Sequence, residues 1–286
     1  METFGGALVD TLEYFPRGLV YVALGVFVLF LAKLAQDFVT PYRINDQLAK
    51  KDNVALALSI AGYYMGVIIV FVGVLYQPLK IIRDDQWYFT SDFGIDVLEV
   101  FLYSLAGIVI LNVARILVDK LVLYKFDTEK EIIEQQNVGS GAVEAGVYIA
   151  VALVIAASTA GTTADTSSGL IDSIVRSLVF LGLGMVVLIL YAIFYQLTTS
   201  YDIHAQIEGS NTAVGVAMAG NLIAVGLVTF KAVFGEFVGW SESIAAFLTF
   251  AVIGFVLLYM VRRLVDLVLF PKTKIADELA LDRNLG

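Results

Sequence analysis

The chain has 286 residues, 59% of them hydrophobic and 16% charged, and carries a net charge of −9; its mean hydropathy is +0.85. A soluble domain has about 45–50% apolar and about 25% charged residues, so this composition points to lipid as the solvent and sets aside soluble-core reasoning. The acidic balance argues against nucleic acid as a partner, the lack of cysteine excludes disulfides and thiolate metal clusters, and a single histidine, His204, excludes a histidine-rich metal site.

Taken in order, residues 1–16 are acidic (Glu2, Asp10, Glu13) and lack a basic leader, so the first apolar run is expected to persist as a helix rather than be cleaved. That run covers about 18–39, and Pro41 stops it. A second span is expected over 54–76, and a polar loop follows over 77–92, where Trp87 and Tyr88 suit a headgroup-level belt. The third and fourth spans are expected over 95–124 and 138–157, and a Ser/Thr/Gly-rich linker over 158–168. The fifth, sixth and seventh cover about 169–198, 212–234 and 241–270. Each run reaches the roughly 20 residues needed to cross a bilayer. The expected fold is all-α and polytopic with seven transmembrane helices, in two units, 1–160 and 161–286.

Between the spans one pattern recurs. Asn53, Asn137, Asn211 and Asn284 lie 84, 74 and 73 residues apart. Four residues beyond the first three stand Ala57, Gly141 and Gly215, and nine beyond stand Gly62, Gly146 and Gly220. Upstream, Ile44–Ala49 reads like Ile275–Ala280 at the same offset. A fixed-offset match in four places signals an internal repeat. Asparagine is a favoured helix N-cap, and small residues along one face let helices approach closely in lipid. The pattern therefore reads as cap plus packing seam. A second reading is a polar funnel, with three positive helix ends gathered on one side. Asn284 has no following helix in this chain to cap.

Seven crossings put all four motifs on one side, together with Arg43, Lys50, Lys51, Lys120, Lys125, Lys130, Lys272, Lys274 and Arg283. Basic bias sets orientation, so this side is expected to be cytoplasmic, with the N-terminus outside and the C-terminus inside. Segments with apolar residues at helical spacing, Ile44/Leu48, Ile203/Ile207 and Ile275/Leu279, are expected to be short surface helices. The charged stretch 126–137 reads equally well as a solvated linker.

Charge pairs four apart stand at Arg115/Asp119, Arg262/Asp266 and Lys33/Asp37, where they would face each other. They read as snorkelling interfacial pairs or as ion pairs lining a vestibule. Deeper polar residues are Glu144, Asn112 and Asn221. An acid inside a membrane is a functional candidate by default. No phosphate loop, triad order or metal-spaced carboxylate pair is present, so neither catalysis nor a cofactor is expected.

These residues resemble the YjfL-type bacterial inner-membrane proteins, a family of unknown function built from four-span domains. Asn53-Val54-Ala55 through Gly62 and Asn137-Val138-Gly139 through Gly146 fill one copy; Asn211-Thr212-Ala213 through Gly220 opens a second, whose last motif is Asn284-Leu285-Gly286. The resemblance implies a multi-pass inner-membrane protein and a PspA-type peripheral partner on the cytoplasmic face. The second copy reads as lacking its last span in this chain, so a homo-oligomer is expected to cover that flank. Two functions are consistent with these features. One is passage of an ion or small solute through the repeated helix pairs. The other is a scaffold or stress sensor that recruits a peripheral protein or anionic lipid.

Overall fold

Seven helices long and apolar enough to cross a membrane stand in a computed structural model of the chain, which describes residues 4–81, 91–121, 127–160, 162–163, 170–234, 236–268 and 273–285. The long helices are α1 (Phe4–Val39), α3 (Val54–Ile81), α4 (Ser91–Leu121), α6 (Val138–Ala160), α7 (Leu170–Thr198), α9 (Thr212–Val233) and α10 (Trp240–Val268). Four short helices, α2 (Ile44–Lys51), α5 (Thr128–Ile133), α8 (Ile203–Glu208) and α11 (Ile275–Ala280), precede the four asparagines. The chain is an all-α, multi-pass membrane protein.

At several boundaries the helices run on where a break was expected. The first helix begins at Phe4 and continues through Pro16. The second span continues to Ile81, into the stretch read as a polar loop; Trp87 and Tyr88 lie outside the described residues. Ser158–Ala160, read as linker, end α6, and Thr162–Thr163 pair in parallel with Glu236–Phe237. Residues 164–169 lie outside the described residues. The charged stretch read equally as a linker forms α5, because Asp127 caps its start and Ile132 is buried beneath it.

The centre of the bundle is a row of three helices, α3, α6 and α9. All three leave the motif side and run in the same direction, since Gly62 meets Ala145 and Gly73 meets Ala156 further along, while Gly146 meets Ala219 and Gly226 meets Ala150. The middle helix α6 has 89% of its apolar window buried, against 50% for α3 and α9 and 17% for α1 and α10. Lipid tails are as apolar as leucine, so water expulsion does not drive this contact; close van der Waals packing between small residues does.

Candidate functional site

Each motif is a corner joining a short helix to a long one. The residue before each asparagine, Asp52, Gln136, Ser210 and Arg283, holds a left-handed conformation with φ of 48°, 53°, 57° and 52°. This turn is uncommon for residues other than glycine, and it recurs at all four corners. The asparagine backbone N–H then reaches back to the short helix, to the carbonyls of Gln47, Glu131, Gln206 and Glu278.

The first three asparagine side chains are buried, at 1%, 1% and 0% exposure. Each Oδ1 accepts from the third N–H of its own long helix: Leu56 at 3.0 Å, Ser140 at 3.2 Å and Val214 at 3.3 Å. Each Nδ2 donates across to the short helix of the next repeat. Asn53 donates to the Ile132 carbonyl at 2.8 Å, Asn137 to the Ile207 carbonyl at 2.6 Å and Asn211 to the Leu279 carbonyl at 2.8 Å. One side chain thus caps its own helix and ties it to the following hairpin. Burial makes these bonds costly to lose, because each would leave a polar group without water.

A second acceptor completes the corner. Asn137 also donates to Glu131 Oε2 at 2.7 Å, Asn211 to Gln206 Oε1 at 2.7 Å and Asn284 to Glu278 Oε2 at 3.0 Å. Gln47 holds the matching place before Asn53 and is buried. Gln47, Glu131 and Glu278 stand six residues before their asparagines and Gln206 five, so each short helix carries such a side chain, a signal readable from the sequence. Asn284 itself is exposed at the outer end of the array.

The small residues stand where the helices touch. A Cβ on Gly141 would lie 2.2 Å from the Ala55 carbonyl oxygen, and one on Gly215 would lie 2.4 Å from the Gly139 carbonyl oxygen. A Cβ on Gly62 or Gly146 would lie 2.3 or 2.6 Å from the facing Cα of Ala145 or Ala219. Only glycine permits this approach. Ala57, at the matching place on α3, is exposed, and a Cβ on Gly220 would meet nothing within 4 Å.

Above the motif corners the first half carries a buried polar cluster drawn from four helices. Ser59 Oγ of α3 donates to Glu144 Oε2 of α6, and Glu144 is 1% exposed. About one turn further on, the Tyr63 and Tyr148 rings meet edge-on at 5.2 Å. Gln36 of α1 donates to Tyr148 Oη at 3.2 Å, Asn112 of α4 donates to Tyr63 Oη at 3.2 Å, and Tyr63 Oη donates to the Ala32 carbonyl at 3.3 Å.

The second half is wired differently. Tyr191 donates to Asn221 Oδ1 at 2.8 Å. Arg262 and Asp266, four apart, bond to separate partners. Arg262 Nη1 donates to Thr199 Oγ1 at 2.7 Å and its guanidinium lies 5.1 Å from the Tyr195 ring centroid. Asp266 Oδ1 accepts the Ile275 N–H at 2.9 Å and holds the start of α11. Lys33 and Asp37 are exposed. Arg115 and Asp119 lie on α4, with side chains outside the described residues. Off the membrane, the Lys50 ammonium bonds Asp46 at 2.8 Å and holds its carboxyl below the ordinary range, while burial lifts the Tyr201 hydroxyl above its own. Among the described residues no group of three or more histidine, cysteine or acidic side chains could hold a metal.

The repeat seen in this geometry is matched by comparison. A "UPF0719 transmembrane protein" of Aquifex aeolicus (strain VF5) is 25% identical over 267 residues, covering 92% of this chain and 90% of that protein. No solved structure matches. The family described as "Domain of Unknown Function (DUF350)" matches twice, over residues 10–159 and 169–286. With both halves matched, the chain belongs to that DUF350 family, as a multi-pass membrane protein made of two tandem copies.

Proposed function

We propose that this protein is a membrane-embedded docking platform, whose motif side recruits a peripheral protein with a basic face. The observation that carries this reading is the chain of asparagine bonds, which ties four short helices into one fixed row at the bundle end. A rigid row loses little freedom when a partner binds, which favours affinity. The same bonds occupy the asparagine amides that a polar funnel would need, and α6, past which a central passage would run, is packed directly on both neighbours.

Charge selects the partner. On α5 and α8 with their caps, Asp127, Glu129, Glu134, Asp202 and Glu208 are exposed, and Lys130 is the one exposed cation among those described residues. An acidic strip attracts a basic partner and repels anionic lipid. The basic residues Arg43, Lys50 and Lys51 lie with α2 at one end of the row, outside the acidic strip. The basic bias of the motif side supports a cytoplasmic orientation, where the resemblance to YjfL-type proteins suggests a PspA-type protein. The test is photocrosslinking in cells from Glu134 and Glu208, with lipid-facing Val216 as control. The expected result is an adduct with a soluble protein at the first two positions only, lost when Glu129, Glu134 and Glu208 are changed to lysine. Adducts at the Val216 level, or adducts that survive the charge reversal, would overturn the proposal.

Solute passage keeps one supporting observation, the buried polar cluster around Glu144. Its test is ion flux in proteoliposomes, which Glu144→Ala should abolish.

A further inference from the structure

At the end of the bundle away from the asparagines, the structure holds a cavity of about 470 Å³. It sits where the row α3, α6 and α9 ends, and is walled by α4, α7 and α10. Ligand pockets typically measure about 300–1,000 Å³ and combine apolar walls with a few placed polar groups. This one fits that description. Val74, Val100, Phe180, Val233 and Phe234 form apolar wall, and Ser158, Ser173 and Ser177 add hydroxyls.

Its distinctive member is Arg176, on the second turn of α7. The guanidinium stacks on the Phe237 ring, 4.3 Å from the centroid. Its Nη1 is buried and has no hydrogen-bond partner. Two acids, Glu99 and Glu242, also line the cavity, but both are exposed, and neither pairs with Arg176 among the described residues. A guanidinium presents five donors in a planar fork matched to carboxylate and phosphate. Leaving such a donor buried and unmatched is costly, and within a membrane protein a charge so placed marks a functional position.

We propose that this cavity binds an anionic amphiphile, with its carboxylate or phosphate head on Arg176 and its apolar part along the α4 and α10 walls. The three features needed are all present: a cation with an open donor, hydroxyls beside it, and an apolar wall continuous with lipid-facing helices. A soluble anion would satisfy Arg176 but leave the valine and phenylalanine wall uncovered. A neutral lipid would cover the wall and leave the guanidinium unmatched. The proposal is independent of the docking platform, which lies at the other end of the molecule.

The chain supplies its own reporter. Trp240 packs edge-on against Phe237 at 5.2 Å, and Phe237 carries the Arg176 guanidinium. With Trp87→Phe as background, Trp240 is the remaining tryptophan of the two. The full chain, purified in a neutral detergent, is titrated with a dibrominated fatty acid, its methyl ester, and a brominated phosphatidylglycerol. Saturable quenching by the acid or the phospholipid is expected, with the ester at least about tenfold weaker, as loss of a charge-assisted hydrogen bond predicts. The acid and phospholipid arms identify which head is preferred. Arg176→Gln should weaken the anionic ligand by a similar factor without altering the ester. Ser173→Phe, which obstructs the cavity beside Arg176 and leaves the guanidinium in place, should weaken saturable quenching by all three, with thermal unfolding confirming that both variants fold. Equal quenching by acid and ester, or wild-type titrations from both variants, would overturn the proposal.

Discussion

The central helix α6 and the flanking helix α9 start from the same motif and meet different surroundings. The first has a parallel helix on each side at backbone contact. The second has one on the α6 side, and on its other flank Gly220 stands against open space. The contrast teaches that the small-residue stripe is a joint with two halves. One half receives the preceding helix, at Gly141 and Gly215; the other receives the following helix, at Gly62 and Gly146. A glycine on this stripe is structurally necessary only where its half of the joint is filled.

The most severe test of this contrast is Asn137→Ala, at the central corner. It removes the cap on α6 and strands the Glu131 carboxylate and Ile207 carbonyl, a loss of about 2–4 kcal/mol. Thermal unfolding in detergent should fall further for this variant than for Asn53→Ala, which ties fewer side-chain partners; equal losses would break the distinction between centre and flank. Next comes the paired comparison of Gly146→Ala with Gly220→Ala. The first forces the α6–α9 contact apart and should cost about 1–3 kcal/mol. The second meets no atom and should be neutral or stabilising by about 0.5–1 kcal/mol, as expected when a helix glycine becomes alanine. A large loss from Gly220→Ala would mean that another helix fills that flank.

The smallest effect lies at the rim, where Asp46 and Lys50 pair in the open. The Asp46 pKa is lowered from 3.8, so its contribution is present above that value and fades as the pH falls through the folded-state pKa. Asp46→Asn should therefore lower the unfolding temperature slightly at pH 7, and by progressively less as the pH falls through the folded-state pKa. An exposed pair is worth little even at its best.

Much of this was legible before any coordinates. The seven spans follow from apolar runs, and the corners from four asparagines at fixed offsets. The cap itself was readable, because an N-cap bond reaches only three residues along the chain. What lay beyond reach was the second use of the same side chain. Asn53 bonds to a carbonyl 79 residues away and Asn137 to one 70 away, and no local pattern names such a partner. The helix α5 was hidden by its charge, although Asp127 caps it as Asp202 caps α8. Arg262 and Asp266 stand at ion-pair spacing, yet each is drawn off by a nearer tertiary partner. Arg176 carries no signal in its local sequence, since a cavity formed by six helices leaves no mark on any one of them.

The direction of the asparagine bonds has a consequence for biogenesis. The three bonds between repeats, from Asn53, Asn137 and Asn211, all run from an earlier segment to a later one, so each of these corners emerges from the ribosome before its acceptor exists. At roughly 5–20 residues per second, the 79 residues between Asn53 and Ile132 impose a wait of about 4–16 s. The bundle is therefore assembled in one direction, each newborn hairpin being latched by the one already in the bilayer.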